Sequence, residues 1–360
     1  MSGALLLLAD GTSYEGSGVG PDGISYGEAV FYTGMTGYEE ALTDPSYCGQ
    51  LLVFTYPLIG NYGVDPSVRQ HKRICAAAMV CRRISPYPSH YRSIASLSDW
   101  LEESGVRAIE GVDTRALVTR LREAGTMRAL LAVGDQAIEA APGKIGTYAD
   151  APLSTPSLVA AVSARRRRKR GRGKTRIALI DCGAKENIPR LLATEDTEIV
   201  EVPHSASFAQ LHALSPAGIV VSNGPGDPTE MTGVITTLKE AIDYGKLPIL
   251  GICFGHQLLA LAFGAKTYKM KYGHRGGNQP VRCKDSGNVI ITAHNHGYAV
   301  DAASLPADLQ ETMINLNDGT NEGLRHRSLP VSSVQFHPEA APGPADARHV
   351  LDEFIERVKA

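Results

Sequence analysis

One cysteine of this chain stands where a tight turn would expose its thiol. Cys253 lies between an apolar run that predicts a strand (247–252) and one that predicts a helix (254–263), with Gly251 and Gly255 on either side. Small residues are needed there because a Cβ would collide with the facing strand. At a helix N-terminus, unpaired N–H groups and the positive dipole end favour thiolate over thiol. The pattern predicts a nucleophile, with a small buried hydrophobe as the alternative.

A candidate base follows near the end of the chain. A thiol nucleophile needs a base to take its proton and a third group to orient that base. His337 and Glu339 follow a short apolar run (331–334) and are two residues apart, so both side chains can point the same way from a strand end. Alone, such a pair is more typical of a protein surface. Combined with the cysteine turn, it predicts a Cys253–His337–Glu339 catalytic triad.

A rigid loop offers another element of acyl-transfer chemistry. Residues 222–228 (SNGPGDP) follow a predicted strand, so they would emerge at the same sheet edge as Cys253. Backbone N–H donors arranged around a tetrahedral oxyanion are each worth about 3–4 kcal/mol of barrier. We assign one donor to Phe254 and another to the segment from Gly224 to Gly226. The alternative is an ordinary tight turn.

The helix that follows the cysteine carries two further polar residues. Gln257, four residues after the nucleophile, shares its helix face, and its uncharged amide suits the α-amino and α-carboxylate groups of an amino acid. His256 is close to Cys253 in sequence but is expected to pack beside the site. His337 therefore remains the predicted base.

The composition is that of an ordinary soluble globular protein. Its 360 residues suggest two domains, and no apolar run approaches the roughly 18 residues of a membrane span. The run from Leu5 to Leu8 lacks a preceding basic region and is stopped by Asp10, so it is interpreted as a strand and not as a signal peptide. The six cysteines show neither C-x-x-C nor paired histidine spacing, which predicts a reducing cytoplasm, no disulfide and no metal site.

A basic run marks the predicted boundary between the domains. Nine positive charges fall within residues 165–176, although the net charge of the chain is −2. A nucleic-acid contact is the functional alternative, but no aromatic residue is interleaved for base stacking, so a solvated linker is favoured. Gly173-Lys174-Thr175 imitates the end of a phosphate-binding loop. It lacks the first glycine and precedes a strand, so no nucleotide site is inferred.

The apolar runs predict three segments. Residues 1–150 are expected to form a smaller mixed α/β domain rich in strands, residues 151–174 the basic linker, and residues 175–360 an α/β domain. In the last segment, continuously apolar strands alternate with helices, which favours an open, mostly parallel sheet with flanking helices. Ligands of such sheets bind beyond the carboxyl ends of the strands, where Cys253 is expected.

The chemistry-bearing motifs resemble those of a known family. SNGPGDP (222–228), GICFGHQ (251–257) and FHPEA (336–340) are similar, in this order, to the oxyanion, nucleophile and histidine motifs of the class I (triad) glutamine amidotransferases. The resemblance implies their open sheet with flanking helices. It also implies hydrolysis of glutamine to glutamate and ammonia through a thioester on Cys253, with His337 as base and acid and Glu339 orienting it.

Other motifs narrow the family. GEAVFYTGMTGY (27–38), TDPSY (43–47), TYPLIGNYG (55–63), GVDTR (111–115) and NHGY (295–298) resemble the small subunit of carbamoyl-phosphate synthases. Carried over by position, the resemblance implies eight glutamine contacts: Ser46, Gly224, Gly226, Phe254, Gln257, Asn295, Gly297 and Tyr298. Phe254 and Tyr298 stand where relatives often have leucine and phenylalanine, and contacts made through the backbone tolerate that exchange. The basic run departs from the usual pattern of that family.

The resemblance also implies a partner. A large synthetase subunit would form a heterodimer with this chain, with higher oligomers of heterodimers left open, and would carry ATP and a divalent metal. That subunit would use the ammonia to make carbamoyl phosphate for arginine and pyrimidine synthesis, while this chain holds no cofactor and is cytoplasmic. The alternatives are a glutaminase for a different synthetase, a degenerate module, which the intact triad disfavours, and a nucleic-acid binder that uses the arginine run.

Overall fold

The structure is a computed structural model that describes residues 2–150 and 153–360, apart from the side chains of residues 149 and 150. The chain divides into two compact units, Met1–Leu153 and Ser154–Ala360. No helix in the described ranges combines the length and the apolar character that crossing a bilayer requires. All six cysteines are free thiols.

The first unit is built on a closed seven-stranded barrel with the strand order β1-β2-β6-β5-β4-β3-β7. Its strands are β1 (Gly3–Leu8), β2 (Ser13–Val19), β3 (Gly23–Tyr32), β4 (Gln50–Phe54), β5 (Ala78–Val80), β6 (Ala108–Glu110) and β7 (Met127–Val133). The sequence predicted a strand-rich mixed domain, and the structure shows that these strands close into a barrel. Closure pairs β1 with both β2 and β7, so the described strands leave no open edge.

The described residues of the first unit also form four α-helices: α1 (Tyr38–Thr43), α2 (Leu97–Glu103), α3 (Thr114–Ala124) and α4 (Asp135–Asp150). The carboxylate of Asp113 caps α3 by accepting from the N–H of Ala116. On the same helix Leu117 and Leu121 are fully buried, and burying a leucine side chain contributes about 1.5–3 kcal/mol.

The second unit contains a ten-stranded sheet with the order β14-β13-β15-β16-β17-β12-β11-β9-β10-β8. Its strands are β8 (Arg168–Arg170), β9 (Thr175–Asp181), β10 (Thr197–Pro203), β11 (Gly218–Val221), β12 (Ile249–Ile252), β13 (Thr267–Cys283), β14 (Val289–Val300), β15 (Leu309–Asn315), β16 (Asn321–His326) and β17 (Val331–Val334). In the part of the chain that the structure describes, six α-helices accompany them: α5 (Thr155–Val162), α6 (Asn187–Leu192), α7 (Phe208–His212), α8 (Thr232–Tyr244), α9 (Phe254–Ala262) and α10 (His349–Lys359).

The prediction of a mostly parallel sheet is only partly right. Strands β10, β9, β11, β12 and β17 pair in parallel, whereas the remaining pairs of the described sheet are antiparallel. The difference arises at the β14 edge, where β13 and β14 form a long hairpin. Only residues 284–288 join the two strands, and a connection this short can join only antiparallel strands.

Two apolar layers cover the parallel part of the sheet. Successive residues of β9 point to opposite faces, so Ile177 and Leu179 pack toward α10 while Ala178 and Ile180 pack toward α8 and α9. Each of the four side chains is fully buried. This two-sided burial explains why the strand is continuously apolar. Because β9, β11 and β12 pair in parallel, their carboxyl ends lie at the same edge of the sheet.

The segment predicted as a basic linker (151–174) is ordered in the second unit from residue 154 onward, and its residues 151 and 152 lie outside the described ranges. Helix α5 buries Val159, and strand β8 adds to the sheet by antiparallel pairing with β10. The cations of this segment meet acidic side chains: Arg170 contacts Glu186 and Glu201, and Lys169 and Arg176 contact Glu198. Neutralisation by these glutamates permits a strand where the charge run alone predicts a self-repelling coil.

Candidate active site

Cys253 lies at the turn between strand β12 and helix α9. Its backbone has φ 54° and ψ −101°, a conformation that costs a residue with a side chain about 1–3 kcal/mol. A Cβ on Gly255 would lie 2.2 Å from the carbonyl oxygen of Val221, and one on Gly251 would lie 2.6 Å from the oxygen of Gly255. The predicted need for small flanking residues is confirmed.

The thiol of Cys253 is enclosed, with 1% of the residue exposed. It donates to the carbonyl oxygen of Asn295 at 3.7 Å, and it accepts from the Nε2 atom of Gln335 at 3.7 Å. Gln335 was not singled out by the sequence analysis. Gln335 lies two residues before His337 and so faces the same side of the extended chain, which was the sequence signal available for it.

His337 and Glu339 are placed beside the cysteine by strand β17, which runs parallel to β12 with Val334 opposite Ile252. The Nδ1 atom of His337 lies 2.5 Å from Oε1 of Glu339, and both side chains are buried. The N–H of His337 donates to the carbonyl oxygen of Ala293 at 2.9 Å, which fixes its backbone. The Nε2 atom of His337 is buried without a hydrogen bond inside the described structure.

A buried lysine completes the array, and the sequence analysis missed it. The Nζ atom of Lys185 lies 3.1 Å from Oε1 of Glu339 and donates to the carbonyl oxygen of Ala340. The side-chain amide of Asn187 donates to the backbone oxygen of Glu339 at 2.8 Å. Lys185 follows the carboxyl end of β9, so its place at the active edge of the sheet was the available signal.

The charges of the array support one another. Burial is the largest single effect on His337 and favours the neutral form, but Glu339 and Cys253 together outweigh it and raise the pKa of the imidazole. Burial also opposes the ionised form of Glu339, yet Lys185 and His337 hold the pKa of its carboxyl below the usual range. The site therefore favours imidazolium beside carboxylate, the arrangement that stabilises a neighbouring thiolate.

The candidate oxyanion loop lies against the helix that begins after Cys253. A Cβ on Gly224 would lie 2.5 Å from the oxygen of Cys182 and 3.1 Å from the ring of Phe254. Gly226 has φ 94°, and a Cβ there would meet the side chain of Thr155 at 2.4 Å. Phe254 is the first residue of α9, and the first N–H groups of a helix lack an intrahelical acceptor. The loop can therefore bring its backbone close to a bound acyl group.

The chemistry available to this arrangement is nucleophilic acyl transfer. The sulfur supplies the nucleophile, His337 can move a proton, and Glu339 with Lys185 fixes the imidazole. Each of these groups is held by buried contacts, so the geometry exists before a substrate arrives.

Comparison with known proteins places the chain in a family. Residues 6–131 match the model of the carbamoyl-phosphate synthase small chain, CPSase domain, and residues 178–357 match that of glutamine amidotransferase class-I. A carbamoyl phosphate synthase small chain of Symbiobacterium thermophilum is 43% identical over 98% of this chain and 97% of its own length. Those of Chlorobaculum tepidum and Methanocaldococcus jannaschii are 45% and 44% identical, each over 98% of this chain, and 97% and 98% of their own lengths. The chain belongs to the carbamoyl phosphate synthase small chain family.

Family membership confirms the resemblance read from the motifs, and the structure shows where the remaining predicted residues lie. The Nε2 atom of Gln257 donates to the carbonyl oxygen of Tyr298 at 2.8 Å and to Oε1 of Gln335 at 3.1 Å. Asn295, Gly297 and Tyr298 belong to β14, whose backbone contacts both Gln257 and Cys253. These residues of the second unit therefore form one connected group.

One histidine and one serine remain from the predictions. His256 is fully buried, and its Nδ1 atom lies 2.9 Å from Oγ of Ser333, so it packs inside the fold as expected. Burial lowers the pKa of His256 to about 3, which keeps it neutral. Ser46 lies in the first unit, in the short 3-10 helix Pro45–Tyr47, where its N–H donates to Asp44 at 2.9 Å.

Proposed function

We propose that this chain is the glutaminase subunit of a glutamine-dependent carbamoyl-phosphate synthase. The proposal is supported by family membership and by one observation above all: a strained, buried Cys253 lies in the same enclosed array as the ionised His337–Glu339 pair. Ammonia would pass to a large synthetase subunit, which uses it to make carbamoyl phosphate for arginine and pyrimidine biosynthesis.

The proposed reaction has two steps. The Cys253 thiolate attacks the carboxamide carbon of glutamine, and the oxyanion is stabilised by the N–H of Phe254 and the backbone of the Gly224–Gly226 loop. The C–N bond breaks as His337 gives its proton to the leaving nitrogen, which departs as ammonia. His337 then removes a proton from water, water attacks the thioester, and glutamate leaves with regeneration of the thiol.

Glutamine recognition is assigned to residues that precede and follow Cys253 in the sequence. The proposed contacts are those of Ser46, Gly224, Gly226, Phe254, Gln257, Asn295, Gly297 and Tyr298. The amide nitrogen of Gln257 is already bonded to Tyr298 and Gln335. Its contribution is therefore expected to come through the order it imposes on β14 and through its remaining oxygen.

The chemistry beyond ammonia release is assigned to the partner. ATP and a divalent metal would be bound by the large subunit, in a heterodimer with this chain that operates in the cytoplasm. Ammonia released to solvent becomes protonated and is lost as a nucleophile, so tight association of the two subunits would protect it.

The experiment is to measure two activities of the complex with Cys253→Ser. Glutamine-dependent carbamoyl phosphate synthesis should disappear, because the hydroxyl is a far weaker nucleophile, while ammonia-dependent synthesis should remain. Cys283→Ser is the matched control, since Cys283 is a partly exposed thiol in β13 outside the array. Loss of both activities with Cys253→Ser, or retention of glutamine-dependent synthesis, would overturn the assignment.

A further inference from the structure

Three buried histidines and a buried glutamate converge in the second unit, outside the proposed hydrolysis. His274, His294, His296 and Glu322 are 6%, 3%, 6% and 0% exposed. One nitrogen or carboxylate oxygen from each lies within 4.8 Å of those of the others. Buried imidazoles and carboxylates gathered in this way are expensive to bury unless they share a ligand or a proton network.

The fold brings these four residues together from three strands. His274 on β13 lies opposite His296 in the antiparallel register with β14. His294 is two residues from His296 and therefore points to the same face of β14. Glu322 comes from β16, and Asn315 binds it by donating to its Oε1 at 3.1 Å. The absence of C-x-x-C and of paired histidine spacing at the cysteines predicted no metal site, and the H-x-H pattern on β14 was the overlooked signal.

The ring spacing of the cluster is close to that of a tetrahedral metal centre, and its donor atoms, which lie within 4.8 Å of one another, would draw together around an ion. The three imidazole centroids are 5.1, 5.3 and 5.6 Å apart. Zn²⁺ at its usual distance from nitrogen would place ring centroids about 5 Å apart and donor atoms about 3.3 Å apart. Nδ1 of His294 lies 3.0 Å from Nε2 of His296, and Oε1 of Glu322 lies 3.7 Å from Nδ1 of both His274 and His294.

The ring nitrogens that point away from the cluster each have a partner. Nε2 of His274 lies 2.9 Å from Oδ2 of Asp318, and Nε2 of His294 lies 2.7 Å from Oγ1 of Thr292. Nδ1 of His296 donates to the carbonyl oxygen of Tyr298 at 2.8 Å. Histidines that bind metals use their second nitrogen in this way, which fixes the ring and directs the other nitrogen toward the ion.

We propose that His274, His294, His296 and Glu322 bind one divalent first-row transition metal, with Zn²⁺ as the best match. Four protein ligands close the coordination sphere, so the site is structural and does not activate water. Oε2 of Glu322 is buried and has no hydrogen-bond partner among the described residues, and coordination would satisfy the carboxylate. Neutral imidazole and carboxylate donors suit Zn²⁺ better than Mg²⁺ or Ca²⁺.

The metal would fix the position of strand β14, which contacts the nucleophile Cys253. Residue 295 lies between two of the ligands, and its carbonyl oxygen accepts from the Cys253 thiol. The carbonyl oxygen of Tyr298 accepts hydrogen bonds from both His296 and Gln257. The competing explanation is a proton network in which His274 bridges Asp318 and Glu322 without any metal.

The test measures metal retained by the untagged full-length chain after incubation with Zn²⁺ and dialysis against metal-free buffer. The wild type should retain about one equivalent of Zn²⁺, and Zn²⁺ should raise its Tm. His294→Gln should reduce affinity by about tenfold or more, because a ligand is lost while a hydrogen-bonding side chain remains. His212→Gln, an exposed histidine paired with Tyr244, should retain the wild-type amount.

A second measurement does not depend on the variant folding. Co²⁺ added to the wild type should give the strong visible absorption of a four-coordinate site, and Zn²⁺ should displace it. Absence of that absorption, or wild-type metal content at or near zero, would overturn the proposal in favour of the proton network. Equal Zn²⁺ retention by wild type and folded His294→Gln would show binding elsewhere and would also overturn it.

Discussion

Lys185 and Glu339 form an ion pair of 3.1 Å in which the two side chains are 2% and 0% exposed. Removing two charges from water costs several kcal/mol, and only good geometry with further hydrogen bonds offsets that cost. Here the same carboxylate oxygen also lies 2.5 Å from Nδ1 of His337. The lysine therefore holds the orienting group of the triad at the same oxygen that contacts the imidazole.

Lys185→Met should weaken both folding and glutamine hydrolysis. Loss of the cation leaves Glu339 buried beside His337 alone, and breaking a buried pair costs about 3–5 kcal/mol of unfolding free energy. Misplacement of the imidazole should lower the rate of glutamate release by about 10- to 100-fold. Urea unfolding and a glutamate assay measure the two effects. Lys169→Met, whose exposed ion pair with Glu198 is worth at most about 1 kcal/mol, is the control.

Gly255→Ala should destabilise the second unit by about 3 kcal/mol or more, because its Cβ would meet the Val221 carbonyl oxygen at 2.2 Å and force the nucleophile turn open. Gly233→Ala in helix α8 is the matched control. A Cβ added there would meet no described atom within 4 Å beyond its chain neighbours and its own helix backbone, so alanine should stabilise the helix by about 0.5–1 kcal/mol. Thermal unfolding of both variants compares the two positions, and equal Tm values would contradict the steric argument.

The His337–Glu339 pair predicts a specific dependence of stability on pH. The folded state raises the pKa of His337, so its contribution is complete below about pH 6.5 and is lost as pH rises through the raised value. The slope of this loss is at most about 1.4 kcal/mol per pH unit. In Glu339→Gln, burial keeps His337 neutral in the folded state. The contribution of His337 to the free energy of unfolding should then rise with pH near neutrality instead of falling.

The measurement for this prediction is the free energy of unfolding in urea across neutral and alkaline pH. Wild type should lose stability relative to Glu339→Gln as pH rises. Glu198→Gln, which removes a carboxylate from an ion pair on β10, should follow the wild-type profile in that range. Parallel curves for wild type and Glu339→Gln would show that Glu339 does not control the imidazole.

Arg170→Gln should destabilise the β8 edge by about 1–3 kcal/mol, because Glu201 would lose the charged donor that contacts it at 2.5 Å. Glu201 is almost fully buried, and burial raises the pKa of its carboxyl even with Arg170 present. Arg165→Gln, at an exposed position of the same run, should change the unfolding free energy by less than about 0.5 kcal/mol. If both changes have equal effects, the strand is held by backbone pairing alone.

The local features of the candidate site could be predicted because each depends on short-range constraints. The glycines around Cys253 and the two-residue spacing of His337 and Glu339 are dictated by turn and strand geometry. Lys185 and Gln335 could not be assigned in the same way. Their roles depend on which strand ends become neighbours in the sheet, and a single sequence does not fix that order.

The limits of the fold prediction have a similar cause. Continuous apolar runs correctly indicated β9, β11 and β12, since strands buried on both faces read this way. The full length of the β13–β14 hairpin was not indicated, because its burial pattern is irregular and its strand signal is weak. Strand β8 was missed because its stabilising glutamates are distant in sequence.

Because Cys253 is enclosed, it should oxidise in air more slowly than an exposed thiol of the same chain. Cys283 is partly exposed, and hydrogen bonds from Ser286 and Asp285 lower its pKa, so dissolved oxygen and peroxide should reach it while the sulfur at the β12–α9 turn stays covered. Ageing of a stored preparation would therefore begin at a position with no part in turnover, and mass gain on that peptide need not accompany any loss of ammonia release.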